Sequence, residues 1–346
     1  MNRPALVMAL GALLTTSGIG QRAAQPSASL STAGATAAIV SAANEVLSSL
    51  DDAGRAKLQF AFNDDAQRSR WSNFPGPMFV RQGIRIGDLR PTQRTAVMKL
   101  VETALSVDGY RKVTEIMRGD EVLKATSGGR GGPGGGLNFG EDQYYLAFLG
   151  APSTTAPWML QFGGHHLAIN VTLSGAQASA TPSLPCAQPA TYTFEGREIR
   201  PLGHESDRAF ELVNGLDADR RSKAVLNYRV ADLVLGPGQD GRTIQPEGLP
   251  ASSLSQAQQD ILLDIIREWA GIMNDAFSTP RLAEIRAGLA KTYFAWSGPT
   301  APGSAAYFRI QGPTLLIEYA PQGGNTDHIH TIYRDPTNDY GARFVR

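Results

Sequence analysis

Cysteine is almost missing from this chain: among 346 residues only Cys186 carries a thiol. No intrachain disulfide can form, so the fold must rest on packing. Cys186 sits in a Pro-rich stretch with no base nearby, which makes it a small loop residue rather than a nucleophile. Charge of one sign is missing as well. Lys and Arg number 32 and Asp and Glu number 32, with no block of like charge, which argues against the clustered basic face that nucleic acid requires. The N-terminal apolar run, residues 5–14, falls short of the ~20 residues of a membrane-spanning helix. Neither a Gly-x-Ser-x-Gly elbow nor a His-Glu-x-x-His helix is present. Histidine is scarce, at five residues, so its placement is informative.

The first residues follow the layout of a secretory signal: Arg3, the apolar run, then small residues through Gly20. The sequence therefore predicts cleavage of residues 1–20, a secreted or periplasmic location, and no membrane attachment afterwards. Residues 21–36, rich in Ala, Ser and Gln, are predicted to be a flexible lead-in. Residues 37–346 are predicted to form one large domain.

Apolar periodicity predicts helices over 37–50, 51–62, 91–105 and 110–123, with Pro91 in the first turn of the third. The Gly-rich stretch 127–136 lacks the Gly-Lys-Ser/Thr of a phosphate cradle and is read as a surface loop. Strands are predicted at 144–149, 158–162 and 165–173. The same order then returns: helices at 204–214, 217–226, 254–277 and 280–290, and strands at 306–310, 314–319 and 328–333.

Particular residues recur with that order. Leu50-Asp51 with Arg55 is echoed by Leu216-Asp217 with Arg221, and Leu89, Gln93 and Val97 by Leu254, Gln258 and Leu262. Gly163-Gly164-His165-His166 is echoed by Gly323-Gly324 followed by His328 and His330. The expected fold is α+β: a tandem duplicated unit of helices plus three strands, with halves at about 37–175 and 201–346. It forms antiparallel sheet with helices packed on one side, about a pseudo-twofold axis.

That symmetry would bring two histidine segments to one seam. Strand alternation places His165, Leu167 and Ile169 on one face and His166, Ala168 and Asn170 on the other; His328, His330 and Ile332 share a face. Glu318 lies inside the apolar run 315–319, where an ionisable group needs a compensating partner. Imidazoles and a carboxylate are ligand types that Zn, Cu, Fe or Mn accept. His166, His328, His330 and His165 are the candidate metal ligands, and Glu318 and Arg334 the candidate catalytic groups. A set of hydrogen-bonded structural histidines is the competing reading. Asp335 and Asp339 are read as turn residues, and His204 as part of a helix start.

Pro75-Gly76, Leu89 with Gln93, Tyr144-Tyr145, Pro157-Trp158, Gly164-His165-His166 and the closing His328-x-His330-x-x-Tyr333-Arg334-Asp335-Pro336 together resemble the domain of unknown function 3500 family. The resemblance spans nearly the whole chain after the predicted signal. It implies no particular activity. The residues predict an exported metal-dependent enzyme, hydrolytic or oxidative, acting on a small organic substrate. The alternative is an exported protein that binds a small ligand beside a structural histidine cluster, without catalysis.

Overall fold

The computed structural model describes residues 30–127 and 136–345. The predicted signal segment lies outside these residues, as do most of the lead-in and the centre of the Gly-rich stretch. The lead-in expected to reach residue 36 gives way earlier to a helix, Thr32–Ser49. Ser31 caps it by accepting from the Gly34 N–H, and Ala35, Ile39, Ala43 and Val46 are buried along one stripe. Among the described residues the fold is mixed α+β, with nine α-helices and three sheets.

Tyr145–Leu149, Trp158–Gly164 and Leu167–Ser174 form an antiparallel meander inside a seven-stranded sheet. One short pairing there, Gln59–Phe60 against Tyr145–Leu149, is parallel, a departure from the all-antiparallel expectation. Tyr293–Ser297, Tyr307–Gly312, Leu315–Pro321 and Ile329–Arg334 form a second meander, in a five-stranded sheet. A ribbon of Tyr192–Phe194 and Arg197–Ile199 is the third sheet.

The alternation of side chains along these strands sorts the cores. Leu160, Phe162, Leu167, Ile169 and Val171 pack with helix residues Ile39, Val97, Leu100 and Val113. Phe308, Ile310, Ile317, Ile329 and Tyr333 pack with Leu212, Leu262, Ile266 and Trp269. The opposite faces build a third cluster with no helix residue in it: Trp71, Ala168, Leu184, Cys186, Leu235, Leu316 and Ile332.

One short segment stitches the two large sheets together. Leu184 and Pro185 pair with Ala168 and Leu167, while Ser183 and Ala187 bridge to Tyr333 and Ile329. The Ser183 N–H donates to Tyr333 O at 2.9 Å and the Ala187 N–H to Ile329 O at 2.9 Å. The Gly164 hairpin and the last strand are therefore neighbours across this seam.

The expected helix over 254–277 is two helices, Gln256–Ala270 and Asp275–Ala287. The chain breaks at Gly271, and Asn274 caps the second helix by accepting from the Ala276 N–H. In the gap, Met273 bridges Leu105, with the Ser106 N–H donating to Ile272 O and the Asn274 N–H to Ala104 O. Pro280 consequently sits within the second helix instead of opening it.

Candidate metal centre

His165 and His166 are not strand residues, as alternation suggests, but the two-residue turn between Trp158–Gly164 and Leu167–Ser174, with Gly164 opposite Leu167. Such tight turns demand unusual backbone angles, usually supplied by Gly, Asn or Asp. Here His166 itself adopts φ +103°, a left-handed conformation that disfavours a side chain. Strain of this kind persists where the surroundings enforce it, and it collects at functional sites. The enforcing contacts are local. The Cys186 N–H donates to His166 O at 2.7 Å, Tyr144 Oη to His165 O at 2.9 Å, and Arg81 Nη2 to Gly164 O at 2.6 Å.

Across the seam, the loop after Leu315–Pro321 delivers His328 and the strand Ile329–Arg334 delivers His330. Ligand-type atoms of His166, His328 and His330 lie within 4.8 Å of one another. His328 Nε2 is 3.0 Å from His166 Nε2 and 3.0 Å from His330 Nε2. His166 and His330 are buried, and His328 is partly open.

The tautomer of His330 follows from its neighbour. Asp232 Oδ1 lies 2.7 Å from His330 Nδ1, and an ionised carboxylate can only accept, so Nδ1 carries a proton and, in the neutral ring, Nε2 carries the lone pair. Asn73 Nδ2 also stands 3.0 Å from that Nε2. His165 stacks on His166 with ring centroids 3.7 Å apart, its own Nδ1 held 2.6 Å from Asp120 Oδ1. His166 Nδ1 is buried without a hydrogen-bond partner among the described residues.

Burial, reinforced by the neighbouring imidazoles, holds His166 well below the ordinary histidine value. The same causes bring His328 down to about 4. Both rings are therefore neutral at pH 7, the form that ligates metals. Burial pushes the Asp232 carboxyl up, but its hydrogen bonds with His330 and the Leu233 N–H leave it below the usual carboxylate value. Arg81 contributes a nearby cation; desolvation lowers it only to about 10, so it stays charged.

The family model described as a protein of unknown function (DUF3500) matches residues 32–342. The chain belongs to the DUF3500 family. No curated protein matches the DUF3500 chain, and no solved structure does. The DUF3500 domain here thus holds a largely buried His166, His328 and His330 triad with the composition of a metal site.

The DUF3500 structure brings three of the four candidate ligands together. His165 stands behind them, against Asp120. Glu318 and Arg334, the candidate catalytic groups, make no hydrogen bond to an imidazole. The Glu318 carboxylate, fully buried, accepts from the Val234 N–H at 3.0 Å, the Leu235 N–H at 2.8 Å and Tyr307 Oη at 2.6 Å. Arg334 donates to Leu235 O and Gly236 O and pairs with Asp240 and Asp339, each at 2.9 Å. Both therefore hold the loop that carries Asp232. Asp335 and Asp339 lie in the closing turn, where Asp335 accepts from Thr337 and Asp339 from the Asp335 N–H.

Asp232, Asn73, Asp120 and Arg81 are contributors that sequence reading misses. Two of them carry a signal. Asp232 interrupts the apolar run 230–235, and Asp120 falls four residues after buried Ile116 on the core stripe of Val107–Thr126.

Proposed function

We propose that this DUF3500 protein is an exported metal-dependent enzyme, with His166, His328 and His330 as ligands, acting on a small organic substrate. The observation that carries the reading is the position of His328 Nε2, 3.0 Å from two other imidazole nitrogens. An imidazole nitrogen is either a donor or an acceptor. It cannot form a good two-centre hydrogen bond to both neighbours, and His330 Nε2 is already committed as a lone pair. A cation at their centre satisfies all three. Nitrogens on a tetrahedral zinc at Zn–N of about 2.0–2.1 Å stand roughly 3.3 Å apart, close to the two 3.0 Å separations at His328 Nε2, and the three ligand atoms all lie within 4.8 Å of one another.

Such an ion supplies Lewis acidity for hydrolysis or, as Fe, Cu or Mn, a redox couple for oxidation. The protein's part is to hold neutral donors in place. Asp232 fixes the His330 tautomer, and the stacked His165 with Asp120 buttresses His166. The loop that leads from Asn73 to Arg81 exposes Phe74, Met78 and Val80, which gives a substrate with an apolar portion something to rest on.

Two wider readings accompany this one. Tandem duplication is supported by hydrogen bonds that recur between halves. Asp51 and Asp217 cap equivalent helices; Gln93 Nε2 donates to Ser49 O at 2.8 Å, as Gln258 Nε2 does to Gly215 O at 2.8 Å. Export, with a secreted or periplasmic location, is supported by the sequence of residues 1–20.

The test is a purified protein stripped with chelator, reloaded with Zn, Mn, Fe or Cu, and assayed on small esters, amides and phosphoesters and for dioxygen uptake. Metal-restored turnover that vanishes in His330→Ala supports the reading. A stripped protein that binds small ligands, with no metal-restored turnover, favours a binding role.

A further inference from the structure

The segment around Asn73 meets the histidines from a third direction. Asn73 is buried and its amide nitrogen lies 3.0 Å from His330 Nε2. The backbone on either side of Asn73 is anchored by one group. Arg81 Nη2 donates to Ser72 O at 2.7 Å and to Phe74 O at 2.8 Å, the carbonyls flanking Asn73. The same nitrogen reaches Gly164 O at 2.6 Å, at the mouth of the His165-His166 turn, so its two protons are shared among three carbonyls. Arg81 thereby ties the Asn73 loop directly to the turn that presents His166. No carboxylate pairs with Arg81 among the described residues, so this half-buried cation is committed to carbonyls. An unpaired guanidinium is costly to bury unless its hydrogen bonds are made.

Resting on the metal reading above, we propose that Asn73 is the fourth protein donor of the centre, giving its amide oxygen to the ion, and that Arg81 is the residue that positions it. Ligation requires one turn of the amide. Asn73 Nδ2 faces His330 Nε2 at 3.0 Å, so its N–H meets the lone pair of the ring. That lone pair is the one an ion takes, so the N–H loses its acceptor when metal enters. Reversing the amide about its last bond places Oδ1 where Nδ2 was, and an amide oxygen is a competent hard donor. The ligand set becomes three imidazoles and one amide, all neutral. The ion keeps its full charge, which suits it to recruit an anionic or strongly polarised group of the substrate.

The experiment measures zinc affinity by chelator competition, and the visible spectrum of the cobalt-loaded protein, for wild type, Asn73→Ala, Asn73→Asp and Arg81→Met, with circular dichroism to confirm folding. The expected results are an affinity about 10–100-fold lower in Asn73→Ala, on the scale found when supporting groups of metal sites are removed. Asn73→Asp should bind more tightly than wild type, because a carboxylate replaces a neutral oxygen. Arg81→Met should fall between wild type and Asn73→Ala, and the cobalt band should shift in both weakened variants. If Asn73 only competes for His330 Nε2, Asn73→Ala will bind zinc more tightly than wild type and the proposal is wrong. Unchanged affinity and an unchanged cobalt spectrum in Asn73→Ala overturn it too, while leaving the triad standing. A wild type that takes up neither metal removes the metal reading itself.

Discussion

Asp232 accepts from His330 Nδ1 across 2.7 Å, and this contact settles which nitrogen of His330 faces the other two histidines. Removing the carboxylate frees the ring to rotate and to protonate at Nε2. Asp232→Asn and Asp232→Ala are expected to lower metal affinity about 10–100-fold with the fold intact. Chelator competition checks this, and equal affinity would detach Asp232 from the site.

Glu318 acts one step further out. Its carboxylate caps the backbone N–H groups of Val234 and Leu235, two and three residues after Asp232. Glu318→Gln replaces one acceptor oxygen by a donor, which leaves a buried N–H without a partner. Urea unfolding should show a loss of about 1–3 kcal/mol. Metal affinity should fall with it, by less than in Asp232→Ala.

The sequence was readable where one physical signal dominated. Pro91 in a first turn with Val97, Leu100, Val101 and Ala104 on one buried stripe announces the helix Pro91–Ala104. Alternation likewise separates helix-facing Ile329 and Tyr333 from Ile332 on the other face. It fails where apolar periodicity continues through a break: Ile272, Met273 and Phe277 keep the helical rhythm, and the chain is interrupted by backbone bonds to Ala104 and Ser106 that no local pattern encodes. Of the site, the His-x-His spacing around Ile329 and the odd acid Glu318 were legible. Asn73 and Asp232 reach His330 from 257 and 98 residues away, which leaves no trace in spacing. The turn at His165-His166 was hidden because histidine seldom takes φ +103°.

That backbone angle supports a comparison of two variants. At most positions Gly is less favourable than Ala, since it has more freedom to lose on folding. At His166 the order should reverse, with His166→Gly more stable than His166→Ala by about 1 kcal/mol or more, because only Ala carries the strain of a left-handed residue. Urea midpoints of the two variants decide it, and both should lose metal binding.

Acid should destabilise the metal-free protein in a defined window. Burial and neighbouring imidazoles place folded His328 at about 4 and His166 well below 6.5. The unfolded chain then binds more protons as pH falls below about 6.5. Stability is full above that value and is lost as pH falls toward 4 and below. With chelator present, the urea midpoint between pH 7.5 and 4.5 should drop more for wild type than for His328→Gln, and equal drops would contradict the assignment.

The most direct test counts ions. Stripped protein dialysed against zinc at neutral pH should retain one equivalent, and X-ray absorption at the zinc edge should show three imidazole ligands. Each of His166→Ala, His328→Ala and His330→Ala, though folded, should retain far less. Wild type that keeps no zinc, or that keeps as much as the three variants do, would contradict the claim that these histidines form a metal centre.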